Sequence, residues 1–257
     1  MKKSFLRTSL ILALSSSFMV LASPELSKSE VSLKLQQISA AHPAPLSVQD
    51  VEESPLPGFY QIITDKGIIY ASKDGKHLMS GTVHMFEPGM QDLTKERLLV
   101  EREREIDAIK GDFITYRAPN QQHEVIVFFD TTCGFCHKMH KEINQYHQQG
   151  ITIHYAAFPR NGVWDPRSQG VQTEGYKLLQ DIWCTENSNK NLAFNLANSG
   201  SALPRRQCQT TIEQQFNLGV KLGIQGTPAI VSMRGDVLVP GYTPAQALKQ
   251  RLEQAGI

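Results

Sequence analysis

The sequence predicts an α/β domain with a helical insertion, preceded by a small α+β domain and a linker helix. Three observations predict it. The apolar run Val125-Ile126-Val127-Phe128-Phe129 reads as a strand buried on both faces. It leads through Asp130-Thr131-Thr132 into Cys133-Gly134-Phe135-Cys136, then into helix-compatible residues from His137 to Gln149. Gly226-Thr227-Pro228 later breaks a long helical stretch and opens a β-β-α ending. Upstream, a densely charged helical stretch separates this region from short β-like segments punctuated by turns.

The chain has 257 residues, long for one domain and comfortable for two. The formal net charge is +1, from 26 basic and 25 acidic side chains. That balance supplies no basic surface for nucleic acid. Met1-Lys2-Lys3 and Arg7 precede an apolar run from Leu10 to Leu21, and Val20-Leu21-Ala22 suits a cleavage site. About a dozen apolar residues are short for a membrane span, so the pattern reads as a signal peptide over 1–22. The mature chain is then exported, not inserted in the membrane, and placed where disulfides persist.

Ser27-Lys28-Ser29-Glu30 spells a capping box, and Val31, Leu35 and Ile38 recur at helical spacing. His42-Pro43-Ala44-Pro45 ends that helix. Phe59 to Thr64 and Ile68 to Ala71 read as strands, with two short ones to follow at His77 to Ser80 and Thr82 to Phe86. A unit with so thin a core suits pairing with a second copy, and alternating Thr82 to Phe86 suits an exposed edge. Thr94 to Lys110 reads as a helix whose charge run is a solvated face, a spacer ended by Gly111. The expected division is 23–90 for the N-terminal domain, 91–112 for the linker helix and 113–257 for the second domain, with its helical insertion at about 160–223.

Phe113 to Tyr116 reads as a strand. The central strand, the Cys-x-x-Cys helix and the alternating Ile151, Ile153 and Tyr155 make a β-α-β unit. Thr173 to Gly223 looks helical overall, with Cys184 in its first segment and Cys208 before its third. Ala229 to Met233 and Val237 to Val239 read as strands, and Thr243-Pro244 starts a last helix with Pro at the first helical position. Trp164 and Trp183 read as core.

The chemistry concentrates at Cys133. At a helix start, free N–H groups and the helix dipole favour negative charge, so a thiol becomes a thiolate more readily. The thiolate is the nucleophile of disulfide exchange. Cys136 lies one turn on and can attack back on a mixed disulfide. No separate cofactor is implied, because the Cys133–Cys136 pair is itself the redox group. Cys184 and Cys208 read as a structural disulfide closing a loop of about 25 residues, worth a few kcal/mol by the chain-entropy argument. Free or regulatory thiols are the alternative. Metal binding is disfavoured because neither cysteine belongs to a second Cys-x-x-Cys.

A Cys-x-x-Cys β-α-β half, a helical insertion and a Thr-Pro that opens a β-β-α half resemble the thioredoxin fold. Thr132-Cys133-Gly134-Phe135-Cys136-His137-Lys138, Ala157-Phe158-Pro159-Arg160, Ile182-Trp183-Cys184, Gly226-Thr227-Pro228-Ala229 and Leu238-Val239-Pro240-Gly241-Tyr242, in this domain order, resemble the DsbC family of periplasmic disulfide isomerases. Phe135 departs from the family's usual Tyr. The resemblance implies that Cys133 is the nucleophile and Cys136 the resolving thiol. Pro228 is implied as a cis-proline facing them, with Thr227 offering backbone groups to an extended substrate and Gly134 and Phe135 tuning the dithiol. It implies a homodimer joined through its N-terminal dimerisation domains, misfolded disulfide-containing exported proteins as substrates, and an inner-membrane thiol reductase of the DsbD type as reductant.

Rival readings belong to other classes. Cys133 to His137 also spells the Cys-x-x-Cys-His pattern of a haem-bearing electron carrier, against which the strand–motif–helix context stands. His137 and His140 with the two thiols would make a zinc site, but both read as exposed helix residues, His137 within reach of helping the thiolate. A holdase chaperone and a DsbG-like reductase of oxidised single cysteines are the remaining alternatives. A DsbA-like oxidase leaves the N-terminal domain without a use.

Overall fold

The computed structural model describes residues 24–257 apart from Pro88. The expected signal peptide, 1–22, lies outside them. No helix among the described residues is long and apolar enough to cross a membrane.

Helix α1 (Lys28–Ala40) begins with the expected capping box: Ser27 accepts from the Glu30 N–H, and the Glu30 carboxylate accepts from the Ser27 N–H. Val31 and Leu35 are buried beneath it, but Ile38 is exposed. Strands β1 (Val48–Glu53), β2 (Phe59–Thr64), β3 (Gly67–Ser72) and β4 (Leu78–Ser80) form an antiparallel meander in that order. Strand β1 escapes sequence reading because Val-Gln-Asp-Val-Glu-Glu buries only Val51. Thr82 to Phe86 is not the edge of this sheet. Only His84 and Met85 are extended, as β5 (His84–Met85), paired with β6 (Gln91–Asp92) in a separate ribbon. The edges of this sheet are β1 and β4.

Helix α2 (Leu93–Ile109) is capped by Asp92, which accepts from the Lys95 N–H at 2.8 Å. Its charge run is more than a solvated face. Leu98 packs with Tyr70 and Ile63 in the core of the first domain, where the buried Thr94 hydroxyl bonds Tyr70. Eight residues on, Ile106 is fully buried with Phe113, Phe128 and Leu218 in the core of the second domain. The charges reinforce both ends. Arg97 holds Glu52 of β1, and Lys95, Glu103 and Glu105 pair with Asp236, Arg234 and Lys221.

The second domain is a five-stranded sheet. Its strands β7 (Ile114–Tyr116), β8 (His123–Phe129), β9 (Ile151–Ala157), β10 (Ala229–Ser232) and β11 (Val237–Val239) lie in the order β11-β10-β8-β9-β7. Only β8 and β9 are parallel, as a β-α-β crossover requires. Helices α3 (Gly134–Lys141) and α4 (Ile143–Gln148) form that crossover. The expected single helix is divided at Glu142, whose N–H is shared by the Lys138 and Met139 carbonyls and whose side chain is drawn to Tyr242. The insertion holds α5 (Glu174–Trp183), α6 (Lys190–Asn198) and α7 (Ile212–Lys221). It is not helical throughout: residues 199–211 run outside any helix, tied by Arg205 to Asp181 and Glu174. Helix α8 (Ala245–Gln254) closes the chain, with Pro244 as its cap in extended geometry and not its first helical residue.

Alternation along β8 builds two cores. Val125, Val127 and Phe129 face one, with Met139, Tyr146, Leu179, Phe194 and Leu248 from the helices above. Ile126 and Phe128 face the other, under α2 and α7. Trp183 is buried and donates to the Asp112 carbonyl, but Trp164 is exposed, contrary to its reading as core. Helix α7 approaches so closely that a Cβ on Gly219 would lie 2.6 Å from the Phe158 ring and 3.0 Å from Phe128. Gly219→Ala is therefore expected to destabilise the protein by ~1–3 kcal/mol, as overpacking does. A lower urea midpoint with an unchanged slope will show it.

Candidate active site

Strand β8 ends at Phe129 and the chain turns at once. The buried Asp130 carboxylate accepts from the N–H (2.7 Å) and hydroxyl (2.8 Å) of Thr132, and its carbonyl accepts from the Cys133 N–H. This Asx-type turn delivers Cys133 to the N-cap of α3. Across the sheet, the chain enters β10 through a cis Thr227–Pro228 bond. In its thiol form, Cys133 donates to the Thr227 carbonyl at 3.1 Å. The structure thus brings together Cys133, Gly134, Phe135, Cys136, Thr227 and Pro228 from opposite halves of the domain.

The two sulfurs differ in their electrostatics. Cys133 is 3% exposed and Cys136 1%. Hydrogen bonding from the Cys136 thiol lowers the Cys133 pKa most, and the side chain of Thr227, the Cys136 backbone N–H and the Arg160 charge add to it. Against the opposing effect of burial they bring it to about 5. The Thr227 hydroxyl is buried and has no hydrogen-bond partner among the described residues. Cys136 moves the opposite way: burial, first, and the neighbouring Cys133 hold it far above its ordinary value. One cysteine is a thiolate at neutral pH and the other keeps its proton.

Several residues at the site were given no role from sequence. Arg160 donates from its backbone N–H (2.8 Å) and Nε (3.3 Å) to Asp130, and from Nη2 to the Thr132 carbonyl (3.2 Å) and hydroxyl (3.1 Å). Its charge is thereby fixed beside the motif. The Asp-Thr-Thr spacing before the cysteines carried the signal for the turn, but nothing local announces Arg160, which lies beyond β9. Phe135 is 62% exposed and stacks on Tyr242, with ring centroids 6.1 Å apart. Lys138 donates to the Tyr242 hydroxyl at 2.7 Å, and Tyr242 donates to Glu142 at 2.6 Å. His137 bonds the Thr131 carbonyl through Nε2 at 2.7 Å. His140 is not exposed as read: it is buried beneath the site, on the face that Cys136 shares.

Cys184 and Cys208 take no part in this site. They are bonded to each other, with Cα atoms 5.6 Å apart, joining the end of α5 to the segment before α7. No group of three His, Cys, Asp or Glu side chains among the described residues is placed to hold a metal ion.

A thioredoxin-type sheet, with a thiolate at the helix start and a buried thiol one turn on, defines a thiol–disulfide exchange protein. Residues 109–256 match the thioredoxin-like domain family, and residues 24–95 match the disulfide bond isomerase protein N-terminal domain. Thiol:disulfide interchange protein DsbC of Dickeya dadantii is 38% identical over 208 residues, covering 81% of this chain and 82% of that one. Its namesake from Escherichia coli is 34% identical over 206 residues, covering 80% and 81%. The chain belongs to the DsbC family of thiol:disulfide interchange proteins, and it is an enzyme of disulfide exchange.

The Cys133 thiolate absorbance is expected to titrate with a midpoint near 5, and Arg160→Met to move that midpoint upward. The folded value lies below the ordinary thiol value of about 8.5. Reduced protein should therefore gain stability over Cys133→Ala as pH rises from about 5 towards 8.5, and lose that gain as pH falls through 5. Paired thermal melts across this window check the sign.

Proposed function

We propose that Cys133 is the nucleophile and Cys136 the resolving thiol of an isomerase that rearranges incorrect disulfides in exported proteins. The observation that carries this is the opposite displacement of the two thiols within one motif, Cys133 down to about 5 and Cys136 up. The reaction begins from the reduced dithiol. The Cys133 thiolate attacks a substrate disulfide, forms a mixed disulfide and displaces one substrate thiolate. That thiolate attacks another substrate bridge, the thiolate so displaced attacks the substrate sulfur of the mixed disulfide, and Cys133 leaves as the thiolate it began as. When the exchange stalls, Cys136 attacks Cys133, releases the substrate reduced and leaves the enzyme oxidised. Thr227 and Pro228 line the approach and hold the extended backbone on either side of the substrate cysteine, and exposed Phe135 flanks it. A DsbD-type inner-membrane thiol reductase restores the dithiol, and the site of action is the periplasm.

The working unit in this reading is a homodimer joined through the N-terminal domains. Support comes from the open edge of β4 and the apolar side chains around it. Leu78, Met79, Met85 and Phe86 are all exposed, Phe86 at 82%. Misfolded chains are then held between two catalytic domains, which adds a chaperone activity that needs neither cysteine.

The test is recovery of ribonuclease activity from scrambled disulfides with catalytic protein and a trace of thiol. The expected result is many turnovers by wild type and none by Cys133→Ala. Cys136→Ala should retain shuffling but stall as mixed disulfide. No recovery by folded, reduced wild type would sink the isomerase reading. Separately, Met79→Asp with Phe86→Asp is expected to shift the sedimentation mass from dimer to monomer, while the Cys133 titration stays in place.

A further inference from the structure

A single exposed ring on a protein surface needs no explanation. Phe135 is different because it is held. It stands between the two cysteines in the first turn of α3, is 62% exposed, and stacks on Tyr242 with ring centroids 6.1 Å apart and 27° between the planes. Tyr242 comes from the other half of the domain, in the segment between β11 and α8. Its hydroxyl donates to Glu142 at 2.6 Å and accepts from Lys138 at 2.7 Å. Lys138 also lies over the Tyr242 ring, 4.1 Å from its centroid. The backbone is fixed as well: the hydroxyl of fully buried Tyr146 donates to the carbonyl of Thr243, the next residue, at 2.6 Å. Glu142 is the residue at which α3 gives way to α4, so the break in that crossover brings a carboxylate to Tyr242. Lys138 and Glu142 pair with each other at 3.0 Å, which largely cancels the two charges that hold the tyrosine. What they support is an apolar surface beside Cys133.

We infer that Phe135, held by Tyr242, selects substrate disulfides whose cysteine has an aromatic or large apolar residue two positions away in the chain. The inference deepens the reading of Cys133 as nucleophile and rests on it. Side chains of an extended segment alternate, so residues at i and i±2 point to one face, about 7 Å apart. When the substrate cysteine turns its sulfur to Cys133, its immediate neighbours point away from the enzyme. The residue two positions off points towards it, and Phe135 lies two residues beyond Cys133. Phe135 makes the contact; Tyr242 acts through it and is a positioning residue. Such substrate residues belong in folded cores. The preference therefore directs exchange to cysteines whose surroundings have not yet been buried.

The test uses two peptides of one composition, Ser-Phe-Cys-Phe-Ser and Phe-Ser-Cys-Ser-Phe, each activated as its thionitrobenzoate disulfide. Attack is timed by release of the coloured leaving group from the full chain carrying Cys136→Ala, and each rate is divided by that of free cysteine with the same peptide. The second peptide is expected to react about two- to tenfold faster, the range that one aromatic contact supplies. Phe135→Ala and Tyr242→Ala should each bring that ratio close to one. Tyr242→Phe keeps the ring but frees it from Glu142 and Lys138, and its ratio should fall partway. The Phe135→Ala/Tyr242→Ala double should match Phe135→Ala alone. Equal rates for the two peptides without these substitutions, or an unchanged ratio in Phe135→Ala, would overturn the selection. An unchanged ratio in Tyr242→Ala, equal slowing of both peptides in it, or a further fall in the double would overturn the role of Tyr242. Attack on both peptides that survives Cys133→Ala would overturn the nucleophile assignment itself.

Discussion

Cys133 carries its sulfur at the junction of β8 and α3, where burial alone would favour the neutral thiol. Everything nearby works against that tendency. The first turn of the helix supplies the Cys136 thiol, whose hydrogen bond has the largest effect, and the Cys136 N–H; the opposite half of the sheet supplies Thr227, and β9 leads to Arg160. None of these groups is close to Cys133 in sequence except Cys136. The thiolate therefore depends first on its own motif and then on the complete sheet, with β8 between β9 and β10. Asp130 is the hinge of the arrangement: one carboxylate fixes both the turn into α3 and the guanidinium that stabilises the charge.

The same burial acts in the opposite sense on Cys136, three residues away. Two thiols of one type thus hold different protonation states at one pH because one stands at the mouth of the helix and the other inside its first turn. The face of α3 that buries Cys136 also buries Met139 and His140, so this second thiol is embedded in the packing of the larger core. The disulfide between Cys184 and Cys208 stands apart from this exchange and secures the insertion, whose middle segment has few helical bonds of its own.

Much of this was legible in the sequence. The apolar run into Cys-x-x-Cys marks β8 and α3, and Thr227-Pro228 marks the entry to β10. The second cysteine pair was readable from the compartment the leader implies. The readings that failed did so for physical reasons. His140 looked exposed because histidine in a polar run usually is, although its spacing of four from Cys136 places it on the buried face. Residues 199–211 looked helical from flanking leucines, but Arg205 and the Arg206 N–H are held to Asp181. Arg160 could not be found locally, because its partner lies 30 residues earlier. Helix α2 looked like a spacer because its seated residues, Leu98 and Ile106, serve different cores and form no single stripe.

That division of α2 between two cores fixes the phase of the molecule. Leu98 and Ile106 are eight residues apart, so roughly 12 Å of helix rise separates the two seats. Each residue of α-helix turns about 100° around its axis. Adding or removing one residue between those seats would swing one domain through that angle about the other. The direction in which the Cys133 thiolate looks, relative to the open edge of β4, is thus written in the residue count of α2. Its charged face can vary more freely than its length.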